Sequence, residues 1–71
     1  MNYSKLQSLL PNHEIHYLTD ADPEYQSPNY TYILFEYTTD YLPDTIQLLN
    51  DNDITHSIQM DSNDLQYILI S

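Results

Sequence analysis

The sequence predicts an α+β fold: a four-stranded, mostly antiparallel sheet with two short helices on one face, in the order α-β-β-α-β-β. Three observations predict it. Apolar residues recur at helical spacing in two stretches, near residues 3–10 and 43–50. Four further stretches alternate with the two-residue period of a strand or are rich in branched and aromatic side chains. Clusters of asparagine, aspartate, serine and proline separate these stretches. Two helices against one sheet face bury both kinds of stripe in two layers, within a single domain covering residues 1–71.

Residues 3–10 place Tyr3, Leu6 and Leu10 on one helical face, with Leu9 beside it. Ser4 and Gln7 have the spacing of a capping box, and Pro11 with Asn12 ends the helix. Residues 14–18 form a first strand with Ile15 and Tyr17 on one face. Residues 19–29 are polar, acidic and contain two prolines, which predicts a loop. Residues 30–38 are the clearest strand. Ile33, Phe35 and Tyr37 point one way, while Tyr30, Tyr32, Leu34 and Glu36 point the other. Bulk on both sides predicts a central strand, or one whose second face meets a partner.

The second helix runs from Pro43 to Asn50. Proline suits the first helical turn, and Asp44 complements the positive end of the helix. Leu42, Ile46 and Leu49 form its inward stripe, with Leu48 near the edge. Asn50-Asp51-Asn52-Asp53 stops it without a glycine. Residues 54–60 then place Ile54, His56, Ile58 and Met60 on one strand face. Asp61-Ser62-Asn63-Asp64 forms a hairpin turn, and residues 65–70 are the last strand. The chain has no glycine, so left-handed backbone positions fall to asparagine or aspartate, which tolerate them best.

Composition narrows the function. Eleven carboxylates face one lysine, Lys5, and no arginine, for a net charge of -10 on 71 residues. So acidic a chain is often disordered, but 41% apolar residues and eight tyrosines in patterned segments predict folding. Without glycine, no dinucleotide-binding fingerprint, phosphate-cradling loop or nucleophile elbow can be written. Without cysteine there is no disulfide and no thiolate metal site, in keeping with a reducing, cytoplasmic setting. The first residues carry neither a signal peptide nor a membrane span.

No constellation predicts catalysis. His13 and His16 point to opposite faces of a strand and lack a third ligand. They read as surface histidines, and His56 as a hydrogen-bonded core or rim residue. Asp51, Asp53 and Thr55 imitate the start of a calcium loop, but His56 replaces its glycine and Ser62 its glutamate. The expectation is therefore a non-enzyme with no catalytic residue, metal or cofactor.

The acids themselves form the candidate site. Asp20, Asp22 and Glu24 cluster in the long loop. Asp40 and Asp44 flank the start of the second helix, Asp51 and Asp53 its end, and Asp61 and Asp64 bracket the hairpin. Turns favour aspartate for local reasons, but those reasons do not remove the balancing lysines and arginines. A domain purged of positive charge points to a basic partner. The natural one is a nucleic-acid-binding protein, whose groove neutralises one phosphate charge per roughly 1.7 Å of duplex axis. Tyr25 and Tyr41, lying among the acids, add rigid contact area.

In size and charge the chain resembles the small acidic DNA mimics of phages, namely anti-CRISPR and anti-restriction proteins and uracil-DNA glycosylase inhibitors. The glycosylase inhibitors add a local pattern: an acid on a strand, then Leu-Pro-acid opening a helix, then paired strands. Here Glu36 stands on the strand and Leu42-Pro43-Asp44 opens the helix. The resemblance implies that Glu36 and Asp44 contact the target. It also implies an apolar pocket lined by Ile46, Leu49, Ile58 and Met60, which receives a side chain of the enzyme. It covers about half of the chain. The departures are a longer gap from strand to helix, the long loop before the strand, and one strand fewer after the helix.

The expected function is stoichiometric inhibition of a host DNA-processing or defence enzyme by occupying its basic groove. The target is a protein, with no direct binding of nucleic acid, membrane or small molecule, and a homodimer is compatible with the sequence. The alternative is an acidic antitoxin or adaptor module that covers a basic surface unconnected with DNA. A charge that serves solubility alone is the third reading.

Overall fold

Strand pairing sets the frame of the molecule. The structure, a computed structural model, describes residues 2–35 and 42–71. It contains helices α1 (Tyr3–Leu9) and α2 (Leu42–Asp51) and strands β1 (Ile15–Tyr17), β2 (Tyr32–Phe35), β3 (His56–Met60) and β4 (Gln66–Ile70). The four strands form one sheet in the order β1-β2-β4-β3, and every neighbouring pair is antiparallel. The predicted fold class and element order hold, with the sheet wholly antiparallel among the described residues.

Helix α1 forms because Leu6 and Leu10 share a face that closes completely against the sheet. Its N-cap is Asn2, whose side chain accepts the Lys5 amide at 2.8 Å, so the predicted capping box from Ser4 is not the one formed. Gln7 instead spans the turn after the helix, donating to the carbonyls of Leu10 and His13. The Tyr3 hydroxyl donates to the Ile15 carbonyl at 2.8 Å, and its ring stacks on Tyr17 with centroids 5.3 Å apart.

Helix α2 turns Thr45 and Leu49 inward and leaves Ile46 half-buried. The side chain of Leu42 and the strand residue Tyr37 lie outside the described residues. Both helices cover one face of the sheet. Leu6, Leu10 and Leu49 pack there with Ile15, Tyr32, Leu34, Ile54, Ile68 and Ile70.

The opposite face has its own cover. Leu18, Ile33, Tyr67 and Leu69 form a second apolar cluster, with Ala21, Tyr25, Tyr30 and Phe35 packed against it. The cover is the acidic loop, which runs across this face and back. It contains two single 3₁₀ turns, Leu18–Asp20 and Pro23–Tyr25. Its ends are joined by the Leu18 amide donating to the Thr31 carbonyl at 2.8 Å, the geometry of an Ω-loop. Strand β2 is therefore central, as its two bulky faces predict, and Tyr32 is core.

Strand β3 departs from expectation. Ile54, His56, Ile58 and Met60 share the helix face, but only Ile54 is buried, while Ile58 is 42% and Met60 55% exposed. The reason is position: β3 is an edge strand, and the buried helix residues Leu6, Leu10 and Leu49 cluster with residues of the other three strands and with Ile54, but with none of residues 56–60.

Two backbone positions answer the missing glycines. Asp53 (φ 55°) and Asp64 (φ 62°) are left-handed. At the end of α2 the Asp53 amide donates to Asn50 and the Ile54 amide to Leu49, closing a Schellman motif with aspartate where glycine is usual. At Asp53 a carboxylate also sits at the negative end of the helix dipole. We expect Asp53→Gly to stabilise the fold by about 1 kcal/mol, and Asp53→Val, β-branched at positive φ, to destabilise it by at least that much. Urea unfolding of the three proteins checks both signs.

Candidate functional site: the acidic loop and the β3–β4 hairpin

The acidic loop is ordered from within. Gln26 donates from Nε2 to the carbonyls of Leu18 (2.6 Å) and Ala21 (3.0 Å), tying the exit of the loop to its entry. The ring of Tyr25 stands edge-on to Phe35 and Tyr67, with centroids 5.2 and 4.9 Å away. Its hydroxyl lies 3.2 Å from Asp61 Oδ2 in the hairpin. Ser62 donates to Glu24 at 3.3 Å across the same seam. These contacts join residues 36 and 38 positions apart in the chain and tie Glu24 of the loop and Asp61 of the hairpin to one seam. The half-buried Tyr25 thus holds the loop in place, and it also lines an open cavity beside Asp20 and Asp22.

Within this frame Asp20 and Asp22 stand exposed, with no side-chain hydrogen bond or ion pair among the described residues. They share with His16, Ala21, Tyr25 and Phe35 the lining of an open cavity of about 330 Å³. Glu14, just before β1, lies 3.5 Å from His16 Nε2. Two carboxylates, a histidine and two aromatic rings thus line one concave surface. Lys5 makes no ion pair with any carboxylate among the described residues, so their charge is uncompensated by it.

Asp61 has a structural task. Its Oδ1 accepts the amides of Asn63 (2.8 Å) and Leu65 (2.9 Å), closing the hairpin turn in which Asp64 supplies the left-handed residue. The bond from the Leu65 amide, helped by those from Asn63 and Tyr25, holds its carboxyl below the usual aspartate value of 3.8.

The predicted residues thus separate into groups. The structure gathers Asp20, Asp22, Glu24, Tyr25 and Asp61 about one end of the sheet, with Asp64 in the same hairpin. Asp44 and Asp51 belong to α2 and Asp53 to its C-terminal cap, on the element that covers the other face. Glu36, Asp40 and Tyr41 lie outside the described residues. Of the implied pocket, Leu49 is sealed in the core, Ile46 is half-buried, and Ile58 and Met60 stand open.

Sequence reasoning treated His13 and His16 as surface residues. His13 is instead half-buried, with Nε2 3.0 Å from the Oγ1 of Thr45, a threonine only 1% exposed in α2. The spacing of Thr45 and Leu49 carried the signal for that threonine, since residues four apart share a helix face. His56 takes its expected rim position, with Nδ1 2.8 Å from the Ile54 carbonyl. Among the described residues no three His, Asp or Glu side chains are grouped to hold a metal ion, and no helix is long and apolar enough to cross a membrane. Comparisons with protein-family models, curated proteins and solved structures returned no match.

A carboxyl whose folded-state pKa is lowered adds stability that is whole above its ordinary value and is lost as pH falls through the folded value. We therefore expect acid to loosen the hairpin below about pH 4. Asp61→Asn keeps an acceptor oxygen but cannot be protonated in this range. The wild type should lose more stability than Asp61→Asn between about pH 5 and pH 2, a difference that chemical denaturation at each pH reads directly.

Proposed function

We propose that the chain is a stoichiometric inhibitor that occupies the basic groove of a nucleic-acid-binding protein, presenting fixed carboxylates in place of phosphates. The observation that supports this most is that Asp20 and Asp22 are held by the loop yet bonded to nothing within it. A tethered array gives up little freedom on binding, which is how preorganisation raises affinity. A flexible acidic tail of the same charge would lose that advantage. The aromatic floor of the cavity, Tyr25 and Phe35, suits the guanidinium or ammonium heads that line such grooves. In this reading the target is a host enzyme of DNA processing or defence, the chain works in the cytoplasm, and no cofactor takes part.

The test is capture of partners from host lysate at low salt, followed by competition with duplex DNA. A nucleic-acid enzyme that DNA displaces is the expected result. A basic partner that DNA does not displace would overturn the mimic reading in favour of an antitoxin or adaptor. Two variants then separate charge from geometry. Asp20→Asn with Asp22→Asn and Glu24→Gln should weaken binding and flatten its salt dependence. Tyr25→Ala leaves the net charge unchanged but releases the loop, and we expect at least about a tenfold loss of affinity. An unchanged affinity for Tyr25→Ala would show that order in the loop plays no part.

A further inference from the structure

We propose that the outer edge of β3 is a self-association surface, on which a second copy of the chain adds its own β3 antiparallel across a two-fold axis at Ile58. The inference is independent of the proposed function and uses different residues.

The backbone supplies the first argument. The Ser71 amide donates to the Thr55 carbonyl, and the Asp61 amide to the Leu65 carbonyl. In the β3–β4 register, His56 opposite Ile70 and Met60 opposite Gln66, these bonds turn the backbone groups of Thr55, Ser57, Gln59 and Asp61 toward β4. The N–H and C=O groups of His56, Ile58 and Met60 therefore face outward. Among the described residues no strand lies beyond β3. The same three residues carry side chains on the helix face, where Ile58 and Met60 stand exposed. Unpaired backbone and uncovered apolar surface coincide on one strand.

The second argument is what the edge lacks. Edge strands are commonly blunted by charge, proline or a bulge. This chain carries eleven carboxylates, yet residues 54–60 contain none, nor any lysine, arginine or proline. A basic segment would find no charge complement along Thr55-His56-Ser57-Ile58-Gln59-Met60. A second β3 does match it. Pairing Ile58 with Ile58 of the second copy sets His56 opposite Met60 of that copy. All three outward residues then exchange both bonds, and the apolar side chains meet on one face. In this register Asp61 falls opposite Thr55 of the second copy, so no carboxylate opposes another along the paired strands.

Net charge sets the condition. Two bodies of charge -10, each 28 × 25 × 18 Å, repel strongly in dilute salt. At 0.15 M the screening length is about 8 Å, so charges on the far sides of the two bodies hardly feel each other, and repulsion between those nearer the shared edge weakens further as salt rises. A five-residue edge falls below the standard interface area, so a dissociation constant on the order of 10–100 μM is expected at high salt.

Sedimentation at about 10–500 μM protein tests this directly. The dimer should tighten at least about tenfold between 0.05 and 0.5 M salt, opposite in sign to the binding of a basic partner. Ile58→Pro removes an N–H that faces away from β4, a substitution edge strands accept, and should leave a folded monomer. Ile58→Lys places like charges together at the two-fold and should do the same. Amide exchange of the wild type gives a readout without substitution. The His56, Ile58 and Met60 amides should slow as concentration rises, while those of Ser57 and Gln59, already turned to β4, should not change. A monomer at every concentration and salt, a dimer that survives both substitutions, or exchange at these three amides independent of concentration would overturn the proposal. Each of those outcomes leaves the proposed function standing, and loss of DNA-sensitive partner binding leaves the dimer standing.

Discussion

The two central strands are apolar on both faces, and the rest of the molecule is arranged to cover them. Leu34, Ile68 and Ile70 need one lid, Ile33 and Leu69 another. The described residues provide two α-helices, and both lie over the first face. The second lid has to come from a segment with no regular structure of its own. The chain uses residues 18–31, whose acids face water while Leu18, Ala21, Tyr25 and Tyr30 face the sheet. The same contacts that seal the core also fix the carboxylates. Partial burial of the Tyr25 ring stabilises the loop, and that contribution opposes the mutual repulsion of the acids around it. Core and candidate surface are one piece of chain, so a change to either is felt by both.

Much of this frame is legible from residue order. The two helices, four strands and their succession follow from period and turn chemistry, and the centrality of β2 follows from its bulk on both faces. The lid does not. Leu18, Ala21, Tyr25 and Tyr30 have neither a helical nor a strand period, so their common direction exists only after the loop has closed through Leu18 and Thr31. Strand order is also beyond a linear reading, although one sign of it was present. Residues 67–70 are a continuous apolar run, as a strand buried on both faces requires, whereas residues 56–60 alternate, as a half-covered edge does. The helix cap was misread because two residues of suitable type, Asn2 and Ser4, lie within reach, and Tyr3 had to be inside the helix to reach Ile15.

Absence of glycine links the fold to the charge. Asp53 and Asp64 occupy left-handed positions that glycine would fill, and Asp61 closes its turn through its own carboxylate. Three of the acids therefore have a backbone reason for being where they are. A lysine would serve in none of these places, because its long side chain neither tolerates positive φ well nor accepts an amide proton.

That sorting decides which carboxylates can support an argument about function. Asp44 stands in the first turn of α2, where any acid helps, and Asp51 accepts a bond from Gln47 one turn away. Asp20 and Asp22 have no such duty. They cap nothing through their side chains and accept no bond among the described residues. Their negative charge adds to a net charge of -10 that repels itself within a small body. Charge without a local task is what the proposed basic partner would account for. A basic partner would therefore be read through these two residues and the ring beneath them far more than through the eleven carboxylates together, several of which the hairpin turn, the helix cap and α2 itself explain.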